Sequence, residues 1–269
     1  PIDSLRENKV MSLKTRFGNL GNILDFDNLT EENIYVLDSP ILTNSQFKKF
    51  KKFFSKKTKT IDCTFNISSS LKERIEEIRE EAETSVRQGS TCIVLSDKNI
   101  TDQNASIPSI LTVGAVHSHL VKHGLRGYCS LNVECSDALD THSFAVLIGV
   151  GATTVNPYLA IDSIYQRFEK KLFGKSDFES CVLKFKKSID AGLLKIMSKM
   201  GISVISSYRG GCNFEAVGLS RAIVSDYFPG MSSRISGIGV IGIEKKIKEL
   251  HEKFNAKNVF TLPIGGLYR

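Results

Sequence analysis

The 269-residue sequence lacks any long apolar run, and this absence limits where the protein acts. A membrane-spanning helix needs about 18 or more consecutive apolar residues, and no segment approaches that length. The first ten residues, PIDSLRENKV, also lack the apolar core of a signal peptide. We therefore expect a soluble, cytoplasmic protein.

Cysteine is scarce and is not spaced for a metal site or a disulfide framework. The six cysteines include no CxxC pair, and four of them lie within or beside apolar runs that are typical of strands. Disulfide-rich folds and zinc sites need paired spacings that are missing here. We expect reduced thiols in the core.

Charge is balanced except in one segment. The formal net charge is +7, and residues 44–60 contain seven lysines and no acidic residue. Phe47, Phe50 and Phe54 recur there at helical spacing, which predicts a short helix with a buried aromatic stripe and an outer lysine face. Nucleic-acid-binding proteins usually spread basic residues, arginine included, over a folded face. The alternative, a nucleic-acid-binding module, would use Lys48, Lys49, Lys51 and Lys52.

Residues 60–97 predict a strand, a helix and a second strand. The helical part has apolar residues at Ile75, Ile78, Ala82 and Val86, and Gly89 follows its last turn. The segment STCIVLSD after it is typical of a fully buried strand. Such a βαβ unit builds parallel sheet.

The same alternation continues along the chain and sets the expected fold class. Helices are predicted at 107–124, 158–171, 178–200 and 244–255, strands at 126–135, 144–150 and 202–208, and short helices that begin at Asn213 and Ser220. We predict a single α/β domain over residues 1–269. Its mostly parallel strands alternate with helices in an incomplete or barrel-like topology.

Histidines and one carboxylate leave a metal-dependent reading open. His119 and His123 have i, i+4 spacing and share a helix face, whereas His117 points about 200° away from His119. Asp97 ends a buried strand, where a parallel barrel presents active-site side chains. The alternative function is an autonomous metal-dependent barrel enzyme that uses His119, His123 and Asp97. The pair lacks the glutamate of HExxH, so we favour packing, capping and surface roles.

A glycine-rich run, GIGVIG, matches the dinucleotide-binding spacing at Gly237, Gly239 and Gly242. That motif requires a strand before it and an acidic residue about 20 positions later. The preceding residues, FPGMSSR, are not typical of a strand. We therefore interpret the run as a structural turn and expect no cofactor site.

The segment MSKMGISVISSYRGGC, residues 197–212, is unusual because an apolar stretch ends in an arginine and two glycines. Arg209 has the geometry to hold a neighbouring loop through bidentate hydrogen bonds. Gly210 and Gly211 allow another backbone to approach closely. The alternative is that Arg209 pairs with a carboxylate inside this domain.

Several long strings extend in order along the chain: VMSLKTRFGN near the start, IPSILTVGAVHSHL at 107–120, GVGATTVNPYLA at 149–160, GLLKIMSKMGIS at 192–203 and SYRGGCNFEAVGL at 207–219. Together they resemble the central domain of the large subunit of glutamate synthase. SKMGIS followed closely by SYRG and FEAVGL is not a generic α/β composition, which makes the resemblance specific.

The resemblance implies a division of labour in a longer enzyme. An amidotransferase domain frees ammonia from glutamine, and an FMN domain with an iron–sulfur cluster adds it to 2-oxoglutarate and reduces the product to glutamate. The central domain lies between them and helps to wall the ammonia path. A reductase subunit or ferredoxin supplies electrons, and the choice between a nicotinamide cofactor and ferredoxin stays open. The resemblance implies no nucleic-acid or membrane partner.

This segment is then expected to contain no catalytic residue, metal or cofactor of its own. Pro1 cannot act as an N-terminal thiol nucleophile, and the cysteine run that would hold a cluster is absent. The start at Pro1 suggests a piece of a longer polypeptide, in which residues 1–30 connect to the amidotransferase domain and residues 256–269 to the FMN domain. The residues expected at an interface or channel are Asn156, Tyr158, Ser207, Tyr208, Arg209, Gly210 and Gly211.

Overall fold

The structure, a computed structural model, describes residues 2–3, 5–19, 34–211 and 213–255. Its strands are β1 (Thr15–Phe17), β2 (Tyr35–Leu37), β3 (Thr58–Asp62), β4 (Thr64–Asn66), β5 (Cys92–Ser96), β6 (Asn104–Ser106), β7 (Ser130–Glu134), β8 (Thr154–Asn156), β9 (Glu215–Leu219) and β10 (Ser232–Ile238). Its α-helices are α1 (Glu7–Val10), α2 (Asn44–Phe53), α3 (Leu71–Arg87), α4 (Ser109–Lys122), α5 (Thr141–Gly149), α6 (Tyr158–Glu169), α7 (Phe178–Met200), α8 (Ile205–Tyr208), α9 (Arg221–Tyr227) and α10 (Val240–Asn255). The predicted connector 256–269 and part of the connector 1–30 lie outside the described residues.

A four-stranded parallel sheet in the order β3-β5-β7-β8 forms the centre of the fold. All five residues of β5 and all five of β7 are buried. A strand that is covered on both faces has a nearly continuous apolar sequence, and the CIVLS sequence of β5 is an example. The predicted βαβ unit is confirmed, because β3 pairs in parallel with β5 and α3 connects them.

The helices begin and end where local chemistry dictates. The Ser70 hydroxyl accepts a hydrogen bond from the backbone N–H of Glu73 at the start of α3, and the apolar positions predicted for this helix are buried. Helix α7 ends at Gly201, whose φ of 73° is the left-handed conformation expected there. The helix predictions for 107–124, 158–171 and 178–200 are confirmed.

The fold class is α/β, with a mostly parallel sheet whose strands alternate with helices, as predicted. Among the described residues the sheet is open, because β3 and β8 each have one ladder partner. A single parallel bridge between Ile41 and Val155 is the further pairing at the β8 edge. The strands thus form an incomplete arrangement and do not close into a barrel.

The strand prediction for residues 144–150 is wrong, because this segment forms most of α5. The side chain of Asp140 caps the helix by accepting a hydrogen bond from the Ser143 backbone N–H at 2.8 Å. An element buried nearly all round has no amphipathic period, so a short apolar run of this kind does not distinguish strand from helix.

The strand prediction for residues 202–208 is also wrong. Val204 alone forms a β-bridge, with Ser12, and residues 205–208 turn into the short helix α8. The helix predicted to begin at Asn213 is wrong as well, since strand β9 follows. The helix predicted to begin at Ser220 is confirmed as α9.

Strands β9 and β10 form a separate two-stranded parallel sheet. The turn interpretation of GIGVIG is wrong, because Gly237 and Ile238 end β10 and Val240 begins α10, so the run joins a strand to a helix. A Cβ at Gly237 would lie 2.1 Å from the carbonyl oxygen of Gly218, so the glycine permits close approach of the two strands. Close strand packing accounts for Gly237 without any ligand.

The lysine-rich segment has the predicted amphipathic arrangement. Phe47, Phe50 and Phe54 are at most 5% exposed and pack with Phe17 in a small aromatic cluster. Five cysteines are buried and free among the described residues, in line with the expected core thiols. Within the described ranges, no helix has the length and apolarity that crossing a bilayer requires.

Candidate functional site

The junction at residues 207–211 is fixed to the core by Tyr208. Its ring is 0% exposed, and its hydroxyl donates a hydrogen bond to the carbonyl oxygen of Ala145 in α5 at 3.1 Å. Ser207 beside it is exposed. Tyr208 thus anchors the turn, while the chain around Arg209 leaves the core.

Arg126 organises the N-terminal edge of the central sheet, next to this junction. Its guanidinium donates to the carbonyl oxygens of Cys129 at 2.6 Å and Gly151 at 2.9 Å, which precede β7 and β8. It also donates to the Oγ1 of Thr153 at 3.3 Å and to the Nδ1 of His117 at 3.1 Å. Burial lowers the pKa of Arg126 from its usual value.

His117 lies between two arginines and is held neutral. Burial first, and then the charges of Arg126 and Arg209, lower its pKa to about 4. Because Nδ1 accepts a hydrogen bond from Arg126, the proton of the neutral ring is on Nε2. That nitrogen faces Gly210, where a Cβ would lie 3.2 Å away.

Arg209 is a partly buried cation without a counter-ion among the residues that the structure describes. Its Nε is fully buried and has no hydrogen-bond partner among those residues, and Arg126 is the one charged group that shifts its pKa. Burial, followed by repulsion from Arg126, lowers the pKa of Arg209 to about 10. The alternative of an ion pair inside the domain therefore finds no support in the described ranges.

A cavity of about 170 Å³ opens beside this junction. Its lining is apolar or neutral and includes His117, Gly149, Val150, Gly210, Tyr227 and Phe228. The φ of Gly210 is 67°, and a Cβ at Gly211 would lie 3.2 Å from the carbonyl oxygen of Tyr208. Gly210 thus adopts the left-handed conformation that favours glycine, and Gly211 packs closely against the turn within this domain.

The structure separates the seven residues expected at an interface into two groups. Ser207 to Gly211 lie at the junction beside the N-terminal edge of the sheet, whereas Asn156 and Tyr158 lie at its C-terminal edge. The side-chain amide of Asn156 donates to the carbonyl oxygen of Leu42 at 3.0 Å. Burial, and then Asp97, raise the pKa of the Tyr158 phenol.

Asp97 cannot join the predicted histidine pair on one metal. It lies at the C-terminal edge of the sheet, where its Oδ2 accepts hydrogen bonds from the hydroxyls of Ser106 at 3.0 Å and Ser136 at 2.6 Å. His119 and His123 lie at the far end of α4. The metal reading with these three ligands is therefore wrong, and the arrangement does not favour an autonomous metal-dependent enzyme.

Arg126 and Glu83 were not singled out from the sequence, although both shape sites in the structure. Glu83 on α3 contacts His119, with 2.6 Å between its Oε2 and the histidine Nε2. No local motif marks either residue. The one sequence signal that could have indicated the contact of Glu83 is the parallel βαβ unit, because it packs α3 beside the next crossover helix.

Comparison with known proteins gives a family. Residues 1–220 match the glutamate synthase central domain. The chain is 53% identical over 272 residues to the glutamate synthase [NADPH] large chain of Azospirillum brasilense, covering 100% of this chain and 18% of that one. It is 37% identical over 268 residues to the ferredoxin-dependent glutamate synthase of Pyropia yezoensis, covering 94% of this chain and 17% of the relative.

The chain thus spans less than a fifth of the length of these relatives. Among solved structures, a flavocytochrome b2 variant with pyruvate bound is similar over 80% of this chain and 51% of that chain. The TM-score is 0.40 and the sequence identity is 14%.

Proposed function

The chain belongs to the family of glutamate synthase central domains, and on this premise we propose that it is the central scaffold of a cytoplasmic glutamate synthase. In this role it links a glutamine amidotransferase domain to an FMN domain that also holds an iron–sulfur cluster. It forms part of the wall along which ammonia passes for glutamate synthesis from glutamine and 2-oxoglutarate. This segment itself supplies no catalytic group, and a reductase subunit or ferredoxin delivers the electrons.

The observation that carries the scaffold role is Arg209. A cation removed from water costs free energy unless a carboxylate or other acceptors replace its hydration, and the described residues provide none for its Nε. A carboxylate or a row of carbonyl oxygens on a neighbouring domain would supply the missing acceptors. We therefore assign Arg209 to an interdomain contact, in which its planar guanidinium binds two acceptors at once.

The sheet of β9 and β10 supports the same role independently. Parallel sheets are found almost only with both faces covered, yet Val217 is 64% exposed and Ile235 is 61% exposed. Ile241, in the first turn of α10, is 85% exposed. We propose that a neighbouring domain of the same large chain covers this apolar face.

The neutral lining of the cavity at the junction suits the proposed cargo. Ammonium would lose its hydration in such a place and would be repelled by Arg126 and Arg209, whereas neutral ammonia meets neither cost. His117 stays uncharged beside them, because its pKa is lowered to about 4. A channel wall with these properties favours passage of ammonia as the neutral molecule.

The test is charge reversal of Arg209 in the protein at its native length. Arg209→Glu should reduce glutamine-dependent glutamate synthesis at least about tenfold, because losing a buried charge contact costs about 2–5 kcal/mol. Synthesis from added ammonia should change less, since it bypasses the path between the domains. The matched control is Arg167→Glu on an exposed position of α6. Equal glutamine-dependent activity in Arg209→Glu and the wild type would exclude the interface role.

A further inference from the structure

A second cluster of polar side chains lies where the last turns of α3 and α4 pack together. Glu83 of α3 faces His119 of α4 and His123, which caps the end of α4, and one potential ligand atom from each lies within 4.8 Å of the others. The His119 Nε2 is 2.6 Å from the Glu83 Oε2, and the His123 Nδ1 is 3.9 Å from the same oxygen. Within the described ranges this is the one such group of three.

The surrounding contacts orient these three side chains. The Arg87 guanidinium donates to the Oε1 of Glu83 at 2.8 Å, which leaves Oε2 directed at the histidines. The Nδ1 of His123 is 2.8 Å from the carbonyl oxygen of His119, and the two imidazole rings lie 4.3 Å apart. Outer contacts of this kind fix ligand orientation in metal sites.

We propose that Glu83, His119 and His123 bind one divalent transition-metal ion, with Zn²⁺ as the best match. Two imidazoles and one carboxylate suit zinc, which takes such ligands in a tetrahedral arrangement with water in the fourth position. Ligand atoms in that geometry lie about 3.3 Å apart, given metal–ligand bonds of about 2.0–2.1 Å. The Glu83 oxygen lies 2.6 and 3.9 Å from the two histidine nitrogens, on either side of this value, and the three ligand atoms all lie within 4.8 Å of one another, so side-chain rotations would bring them to the separations that zinc requires.

Zinc binding would replace existing hydrogen bonds of the three side chains with metal–ligand bonds. Zn²⁺ binds the lone pair of a neutral imidazole, so the proton on the His119 Nε2 that faces Glu83 moves to Nδ1, and the proton on the His123 Nδ1 moves to Nε2, with no net loss of a proton. Binding through the His123 Nδ1 exchanges its hydrogen bond to the His119 carbonyl for a metal–nitrogen bond. The side chains are 18–35% exposed, which leaves the ion a path of entry and room for water. The bound ion would cross-link α3 to α4 on one face of the central sheet.

Equilibrium dialysis against buffered free Zn²⁺ tests the site in the protein at its native length. Bound zinc is counted by mass spectrometry, which separates it from any iron in the protein. The wild type should bind one zinc that Glu83→Gln, His119→Gln and His123→Gln lose. The zinc affinity of each variant should be at least about 100-fold lower than that of the wild type. Changes to residues that only orient a metal's ligands already lower metal affinity by about 10- to 100-fold. Zinc should raise the melting temperature of the wild type and leave that of the three variants unchanged.

The matched control is His142→Gln at an exposed histidine on α5, which should bind zinc as the wild type does. Glu83→Gln keeps the side-chain size and one acceptor oxygen for Arg87, and its NH2 group can donate to the unprotonated ring nitrogen of His119, so it is the variant expected to preserve the fold if a histidine variant does not. Circular dichroism checks each fold. Equal zinc in the wild type and Glu83→Gln, or no zinc on the wild type at micromolar free metal, would overturn the proposal.

Discussion

Replacing Arg209 with methionine should stabilise the 269-residue chain rather than destabilise it. Burial lowers the pKa of this guanidinium from 12.5 to about 10, which corresponds to an upper limit of about 3 kcal/mol of unfavourable free energy for the charge. The side chain is only partly buried, so a gain of about 1–2 kcal/mol is realistic. Methionine keeps the apolar stem and removes a charged group whose Nε has no acceptor among the described residues.

Thermal unfolding measures this change. Each kcal/mol shifts the melting temperature by roughly 2–4 °C for a chain of this size, so Arg209→Met should melt several degrees higher than the wild type. A fall that corresponds to a loss of about 3–5 kcal/mol would refute the reasoning, because it would show that Arg209 pairs with a carboxylate inside this chain.

Arg126→Met is the comparison that separates the two arginines. Arg126 donates to the carbonyl oxygens of Cys129 and Gly151, so its removal leaves buried acceptors without a partner. Each such acceptor costs about 1–3 kcal/mol, and the variant should therefore melt at a lower temperature. Opposite shifts for two neighbouring arginines would exclude a general charge effect.

Two further predictions concern pH and packing. The folded-state pKa of His117 is about 4 against an ordinary 6.5, so the unfolded chain binds more protons between these values. The free energy of unfolding should therefore fall by up to about 3 kcal/mol as the pH is lowered through that window. Thermal melting at several pH values should show a smaller fall in His117→Gln than in the wild type. An equal dependence of the melting temperature on pH in the two proteins would contradict this prediction. Gly237→Val should lower the free energy of unfolding by about 1–3 kcal/mol, because its side chain would meet the Gly218 carbonyl of the paired strand. Gly239→Ala should melt like the wild type, because a Cβ at Gly239 has its nearest contact at 3.8 Å. Equal melting of the two glycine variants would show that the strands do not need this close approach.

The parts of the fold that the sequence predicted are those with a strong local period. Helix α3 shows its apolar stripe at Ile75, Ile78, Ala82 and Val86, and its Ser70 cap lies beside it. Buried parallel strands such as β5 are recognisable as short apolar runs between turn residues. These signals depend only on neighbours in sequence, so they are present before any tertiary contact is known.

The wrong predictions concern segments whose secondary structure depends on tertiary contacts. The apolar run at 144–150 is buried nearly all round, so α5 has no polar face to reveal its period. The β-branched residues at 202–205 suit a strand, yet only Val204 pairs, with Ser12, and the chain turns away. Tertiary packing overrides β-propensity in such segments.

From the sequence, Arg209 and its neighbours in the chain could be named as candidates, and their role at an interface stays a prediction. Arg209 stood out because a cation and two glycines at the end of an apolar stretch need an explanation. Its neighbours His117 and Arg126 come from α4 and the segment before β7, and no spacing in the sequence brings these residues together. Glu83 was not predicted for the same reason, since its contact with His119 depends on the packing of α3 against α4.

The most direct test of the scaffold role is an experimental structure of the protein at its native length. The account predicts that the Arg209 guanidinium lies within about 4 Å of a carboxylate or of carbonyl oxygens outside residues 1–269, and that another domain covers Val217 and Ile235. Arg209 paired with a carboxylate of this segment, together with solvent over β9 and β10, would contradict it.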